Sequence, residues 1–206
     1  QRLIGHNMVG GDPVLAPLGF FGGPTRTMPP YPGSPVIDTG IATEDASATD
    51  QRGYPGLVGM APDIGAVETR GSGYVAWALA RIPHGDDASF DGDFNTDGIS
   101  NGMDYALTEG GAPVVTHGRQ GIELWFGRRP GSESDLAWTV VRSEDMRHFV
   151  EILRVDGGIA TPTAGVVLEW NPTDCVVRDK NPAPGGAYYR LEVRLGNPSR
   201  GKPRIH

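Results

Sequence analysis

The sequence predicts a mainly β chain made of short strands and irregular loops, one short helix–loop–helix and an antiparallel β-sandwich. Three observations carry this expectation. The 206 residues include 31 glycines and 18 prolines, roughly twice the average usage of the two together, so turns are dense and long helices are excluded. Apolar residues come in short runs, and toward the C-terminus these alternate with polar ones at strand spacing. The length also exceeds the about 100–150 residues usual for one domain, and charge is unevenly divided along it.

That division separates the chain into segments. Residues 1–70 carry 4 bases and 7 acids, residues 71–112 carry 1 base and 7 acids, and residues 113–206 carry 13 bases and 11 acids. Most of the net charge of −7 therefore sits in the middle segment. A nucleic-acid footprint needs the opposite sign in a compact patch, whereas a hard cation suits this one. No uncharged run approaches the roughly 18 apolar residues of a membrane span. The single cysteine, Cys175, allows neither an internal disulfide nor a thiolate metal cluster. The chain opens on Gln1, from which we expect a cut or processed end.

Residues 1–73 show no helical period. Their apolar runs (Leu18 to Phe21, Pro35 to Ile37, Ile64 to Val67) are punctuated by Gly22-Gly23-Pro24, Pro29-Pro30 and Pro32-Gly33-Ser34-Pro35. Short strands with unpaired edges are expected, too few to close a core of their own. Residues 74–112 change character: Val75, Leu79 and Ile82 fall on one helical face, and Pro83 stops that helix. A second short helix is expected over Ser100 to Leu107, with Met103 and Leu107 on one face. Residues 113–196 hold five strand candidates, at 122–126, 136–141, 149–153, 166–170 and 188–193, which suit a sandwich. Residues 197–206 form a basic tail, expected to be flexible.

The sharpest motif runs from Asp93 to Asp104 and reads D-x-N-x-D-G-x-x-N-x-x-D. Calcium takes six to eight oxygens, and a 12-residue loop supplies them from positions 1, 3, 5, 7, 9 and 12. Those positions are Asp93, Asn95, Asp97, the Ile99 carbonyl, Asn101 and Asp104. Gly98 falls at the sharp turn, where a positive φ is needed, and the Ile99 side chain is free to face a core. Aspartate in place of glutamate at position 12 reaches an ion less well and predicts weak affinity. Asp86, Asp87 and Asp91 are expected to stay solvated or to stand behind the ligands. The competing reading is an acidic turn cluster that holds no ion.

The loop, with Asp at its end, resembles the dockerin repeat and other EF-hand-like calcium modules of bacterial extracellular proteins. Further phrases point the same way. Phe21-Gly22-Gly23-Pro24-Thr25, Pro32-Gly33-Ser34-Pro35-Val36-Ile37-Asp38, Thr49-Asp50-Gln51-Arg52-Gly53 and Pro62-Asp63-Ile64-Gly65-Ala66-Val67-Glu68 together resemble the closing region of bacterial right-handed parallel β-helix surface proteins of the choice-of-anchor Q type. Phe21 stands where that family has Asn. Met103-Asp104-Tyr105-Ala106-Leu107, Ser143 to Phe149, and Tyr188 to Val193 resemble the tail of extracellular proteins from Verrucomicrobia and Planctomycetes-like bacteria. The resemblance implies the end of a parallel β-helix over residues 1–73, an extracellular or cell-surface location, and no assigned chemistry.

Because β-helices also carry polysaccharide lyases and hydrolases, the acids and bases of the first segment are candidate catalytic groups. Asp38, Asp50, Asp63 and Glu68 are the available carboxylates and Arg52 the available base. Each can instead cap backbone groups or pair with a neighbour, and that is the expectation here. No Gly-x-Ser-x-Gly or His-Glu-x-x-His motif occurs, and the histidines at 6, 84, 117, 148 and 206 lack metal spacing. Cys175 reads as a buried thiol at a strand end. Trp125, Trp138 and Trp170 read as core anchors, against the alternative of a sugar-stacking platform. The sequence thus predicts a non-catalytic calcium-binding portion of a surface protein, with polysaccharide or cell envelope as its partner. A fragment of a polysaccharide-degrading enzyme with a carbohydrate-binding sandwich is the alternative.

Overall fold

A computed structural model describes residues 7–42, 48–70, 73–109 and 111–196; the tail from Asn197 lies outside the described residues. The described elements are two helices, α1 (Gly73–Arg81) and α2 (Asn101–Ala106), and eight strands: β1 (Val114–Gly118), β2 (Gly121–Gly127), β3 (Leu136–Ser143), β4 (Val150–Asp156), β5 (Ile159–Pro162), β6 (Val166–Trp170), β7 (Asp174–Asp179) and β8 (Tyr188–Leu195). The chain packs as two compact units divided between Gly102 and Met103, so residues 74–112 are shared between the two.

In the first unit the short strands expected before Gly73 do not form among the described residues. Only isolated antiparallel bridges do: Leu15 to Pro30, Gly19 to Thr27, and Thr49 to Pro55. No parallel ladder of β-helix rungs is present among them. Proline supplies no N–H for a ladder, and several of the remaining backbone donors are taken by carboxylates. Asp63 accepts from the N–H of Asp38 (2.8 Å) and of Thr69 (2.7 Å), and Glu68 from those of Val58 (2.8 Å) and Asp63 (2.9 Å). Asp38 accepts from Met60 at 2.9 Å.

The core of this unit is built on aromatic rings. Phe21, Tyr31, Tyr54, Tyr74 and Phe90 are buried together with Val36, Val67, Ala78 and Ile82. The buried side chains of α1 are Tyr74, Ala78 and Leu79, and Ile82 just beyond it is buried too; of the expected face, Leu79 and Ile82 are buried and Val75 is half-buried, its place taken by Tyr74. The Tyr74 ring meets Phe90 edge-on at 4.8 Å and its hydroxyl donates to the Ala88 carbonyl at 2.9 Å. Gly23 has φ +74°, and a Cβ there would lie 2.5 Å from the Arg52 Cα. Only glycine suits that position.

The second unit contains two four-stranded antiparallel sheets, ordered β1-β2-β7-β6 and β5-β4-β3-β8. All five expected strands form, and β1, β5 and β7 are added. The sheets face each other through Phe126, Leu124, Cys175 and Val177 on one side and Trp138, Val140 and Leu153 on the other, a sandwich-like arrangement. Trp138 is 1% exposed, stacks on Phe126 at 5.5 Å and meets Trp170 edge-on at 5.8 Å. Asp179, also buried between the sheets, is satisfied by Arg142 Nη1 (2.7 Å), the Tyr189 hydroxyl (3.0 Å) and the Asn181 N–H (3.0 Å). The buried side chains of α2 are Asn101, Tyr105 and Ala106, whereas Met103 and Leu107 are half-buried. Tyr105 reaches Asp135 through its hydroxyl at 3.0 Å, and its carbonyl accepts from Arg129 Nε at 2.7 Å.

Candidate metal centre

The acidic loop begins where Gly92 leaves the aromatic core of the first unit. The fit is close at that point: a Cβ on Gly92 would lie 2.8 Å from the Asp87 carboxyl carbon and 3.0 Å from Asn101 Nδ2, so a larger residue would have to displace the Asp87 side chain. From Asp93 onward the chain folds around its own side-chain oxygens. Asp93 Oδ2 accepts from the Gly98 N–H at 2.9 Å, and Asp97 Oδ1 from the Ile99 N–H at 2.8 Å. Asn95 Oδ1 accepts from the Asp97 N–H at 3.3 Å, while its Nδ2 donates to Asp97 Oδ2 at 2.9 Å. Gly98 has φ +87°, as the turn demands, and Thr96 also takes a left-handed φ of +55°. Positions 1, 3 and 5 of the pattern are thus gathered into one turn.

The remaining positions are placed differently. Asn101 is completely buried and braces the loop. Its Oδ1 accepts from the Phe94 N–H at 3.0 Å, and its Nδ2 donates to the carbonyls of Asp87 (2.8 Å) and Ser89 (2.9 Å). Asp104 lies in the first turn of α2. The Ile99 side chain is 43% exposed rather than turned into a core. Asp86, Asp87 and Asp91 are exposed, in line with the reading that keeps them solvated.

One atom speaks for a cation. Asp93 Oδ1 is buried and has no hydrogen-bond partner. A carboxylate oxygen left in that state costs free energy that a hydrogen bond or an ion would recover. The donors that the loop pattern offers are carboxylate, carboxamide and carbonyl oxygens, with no sulfur or imidazole, which is the chemistry of a hard cation such as calcium. No cluster of three or more His, Cys, Asp or Glu side chains comes together among the described residues.

The groups weighed for catalysis are engaged elsewhere. Arg52 and Asp50 form a buried pair with side chains 3% exposed each; Nε and Nη2 both donate to Asp50 Oδ2, and Nη2 also donates to the Glu68 carbonyl. Asp38, Asp63 and Glu68 hold backbone N–H groups, as described above. These carboxylates therefore act as replacements for a strand ladder.

One constellation escaped the sequence reading: Ser143, Asp145 and His148. Asp145 accepts from Ser143 Oγ (3.0 Å), from His148 Nδ1 (2.6 Å) and from the N–H groups of Arg147 and His148 (both 2.8 Å). The two bonds from His148, backbone and side chain, and that from the Arg147 N–H hold its carboxyl well below the usual range. Here both Ser and His serve the Asp, and the serine is buried. The trio is a turn lock between β3 and β4, where Met146 takes a φ of +60°. The spacing Ser-x-Asp-x-x-His was its only signal.

Cys175 is fully buried on β7, and burial pushes its thiol up to about 12 against a smaller opposing influence from Arg128. The folded state thus keeps a proton that the unfolded chain releases above its thiol value of about 8.5. This contribution to stability is complete below that value and is lost as pH rises through it toward the folded value. Iodoacetamide at pH 8 should leave Cys175 untouched in the native protein and modify it in step with unfolding in urea. Rapid native-state alkylation would contradict the placement. Among the tryptophans, Trp138 is core and Trp170 half-buried, but Trp125 points outward at 38% exposure. The three do not form one platform.

Comparison with family models, with curated proteins and with solved structures finds no match to this chain.

Proposed function

We propose that this chain is a non-catalytic, calcium-stapled portion of a bacterial extracellular or cell-surface protein. In this reading residues 1–73 are the end of a right-handed parallel β-helix and residues 113–196 a β-sandwich, with adhesion, attachment or glycan contact as the role. The buried, partnerless Oδ1 of Asp93 is the observation that carries the calcium part. Asp93, Asn95, Asp97 and the Ile99 carbonyl would hold the ion, Asn101 would brace the loop from behind, and the sequence pattern adds Asp104. The ion would supply charge neutralisation and cross-linking, not chemistry on a substrate. The enzyme alternative loses support from the carboxylates of the first unit, which are spent on backbone donors.

An ion bound only by the folded state stabilises by RT ln(1 + [L]/Kd), about 1.4 kcal/mol at roughly tenfold excess over Kd. Extracellular modules bind at about 10⁻⁴–10⁻³ M, and the aspartate at position 12 argues for the weak end. Calorimetric titration of the full chain with calcium chloride should give a saturable heat, and millimolar calcium should raise the melting temperature by several degrees. Magnesium should do much less, and Asp97→Ala should abolish both effects. Absence of heat and of a melting shift at millimolar calcium would sink the reading.

A further inference from the structure

The first unit contains an open cleft of ≈ 260 Å³ beside the bridge between Gly19 and Thr27. Its floor is small: Gly19, Ser89 and Gly92 are buried, and a Cβ on Gly19 would lie 2.8 Å from the Ser89 Cβ. Its rim carries Leu18 (59% exposed), Phe20 (38% exposed), Arg26, Asp87 and Asp91. Among the described residues, Arg26 and Asp91 form no hydrogen bond or ion pair, and Asp87 uses only Oδ1 as a side-chain acceptor, toward the Ser89 N–H at 3.0 Å. One guanidinium and two carboxylates thus border the space beside an exposed phenylalanine.

The geometry points to a binding site for a neutral saccharide ring. Two carboxylates oppose an anion, and the guanidinium opposes a simple cation. Sugar hydroxyls both donate and accept, so Asp87, Asp91 and Arg26 can each find a partner on one ring. The C–H face of that ring suits Phe20 and Leu18. The volume lies just below the about 300–1,000 Å³ of typical small-molecule sites, which fits one ring rather than a larger ligand. The outward face around Trp125 is a poorer choice. Its charged side chains already pair with one another, Arg178 with Glu123 (2.7 Å) and Glu169 (3.1 Å), leaving little to recognise hydroxyls. The inference gives the glycan-contact part of the proposed role a location, and it does not depend on calcium.

The test is an amide-resolved NMR titration of the full chain with methyl glycosides of glucose, galactose, mannose and xylose, and separately with methyl glucuronide. Each is run once with calcium and once with a chelator. At least one neutral glycoside should shift the amides of Gly19, Phe20, Ser89 and Gly92 saturably in either buffer. Phe20→Ala and Asp91→Asn, both at exposed positions, should each weaken that binding roughly tenfold while leaving the amides of the second unit unmoved. Failure of every neutral glycoside to shift the cleft, tighter binding of the glucuronide, or shifts confined to the Trp125 face would overturn the assignment. Binding in the chelator alongside a failed calcium titration would retain the cleft and discard the calcium reading.

Discussion

Arg52→Ala should destabilise the first unit by about 3–5 kcal/mol, the usual cost of breaking a buried ion pair by removing one partner. The pair has no solvent to fall back on, since both side chains are 3% exposed. Without the guanidinium, Asp50 keeps only the backbone N–H groups of Arg52, Tyr54 and Glu68, and the Glu68 carbonyl loses its donor. Arg52→Lys should recover only part of the loss, because an ammonium lacks the planar fork that serves Asp50 and Glu68 together. Hydrogen exchange at Val58, Asp63 and Thr69, whose amides are held by Glu68 and Asp63, would report on this unit alone. Protection factors in Arg52→Ala equal to those of the parent chain would contradict the account.

Trp138→Ala should cost the second unit about 3–5 kcal/mol, the range for truncating a buried aromatic residue. Its ring is shared by both sheets, so the cavity would open between Phe126 and Trp170. Trp138→Phe should be much milder, for a reason the geometry supplies: the indole Nε1 is buried without a hydrogen-bond partner. Phenylalanine gives up volume but also removes that orphan donor, and the two effects oppose each other. Urea midpoints at 25 °C would compare the variants. A phenylalanine variant as unstable as the alanine one would contradict this account.

Strands were legible in the second unit because their signal is local: alternating runs such as Ile122 to Phe126 declare a strand. The strands that escaped notice lack it. β1 and β5 are edge strands whose residues are almost all exposed, so no alternation is imposed on them. β7 is central, yet it alternates buried Cys175, Val177 and Asp179 with half-buried Asp174, Val176 and Arg178, and the polar residues at its ends hid the pattern. Trp125 was misread as core because residue type says nothing about which face of a strand it occupies. Its neighbour Phe126 took the inward place.

The sequence by itself determined the mainly β class, the two helices, five strands and the turn chemistry of the Asp93 loop, all consequences of spacing over a few residues. Tertiary structure alone decided which oxygens stay free. Asn101 belongs to the same pattern as Asp93, yet burial against Asp87 and Ser89 spends its amide on backbone, while Asp93 Oδ1 is left without a donor. The same holds for Asp38, Asp50, Asp63 and Glu68. The backbone donors they accept from lie between 2 and 25 residues away along the chain. A hydrogen bond forms only where folding delivers the donor, so no reading of adjacent residues can tell a carboxylate built to react from one built to hold the chain together.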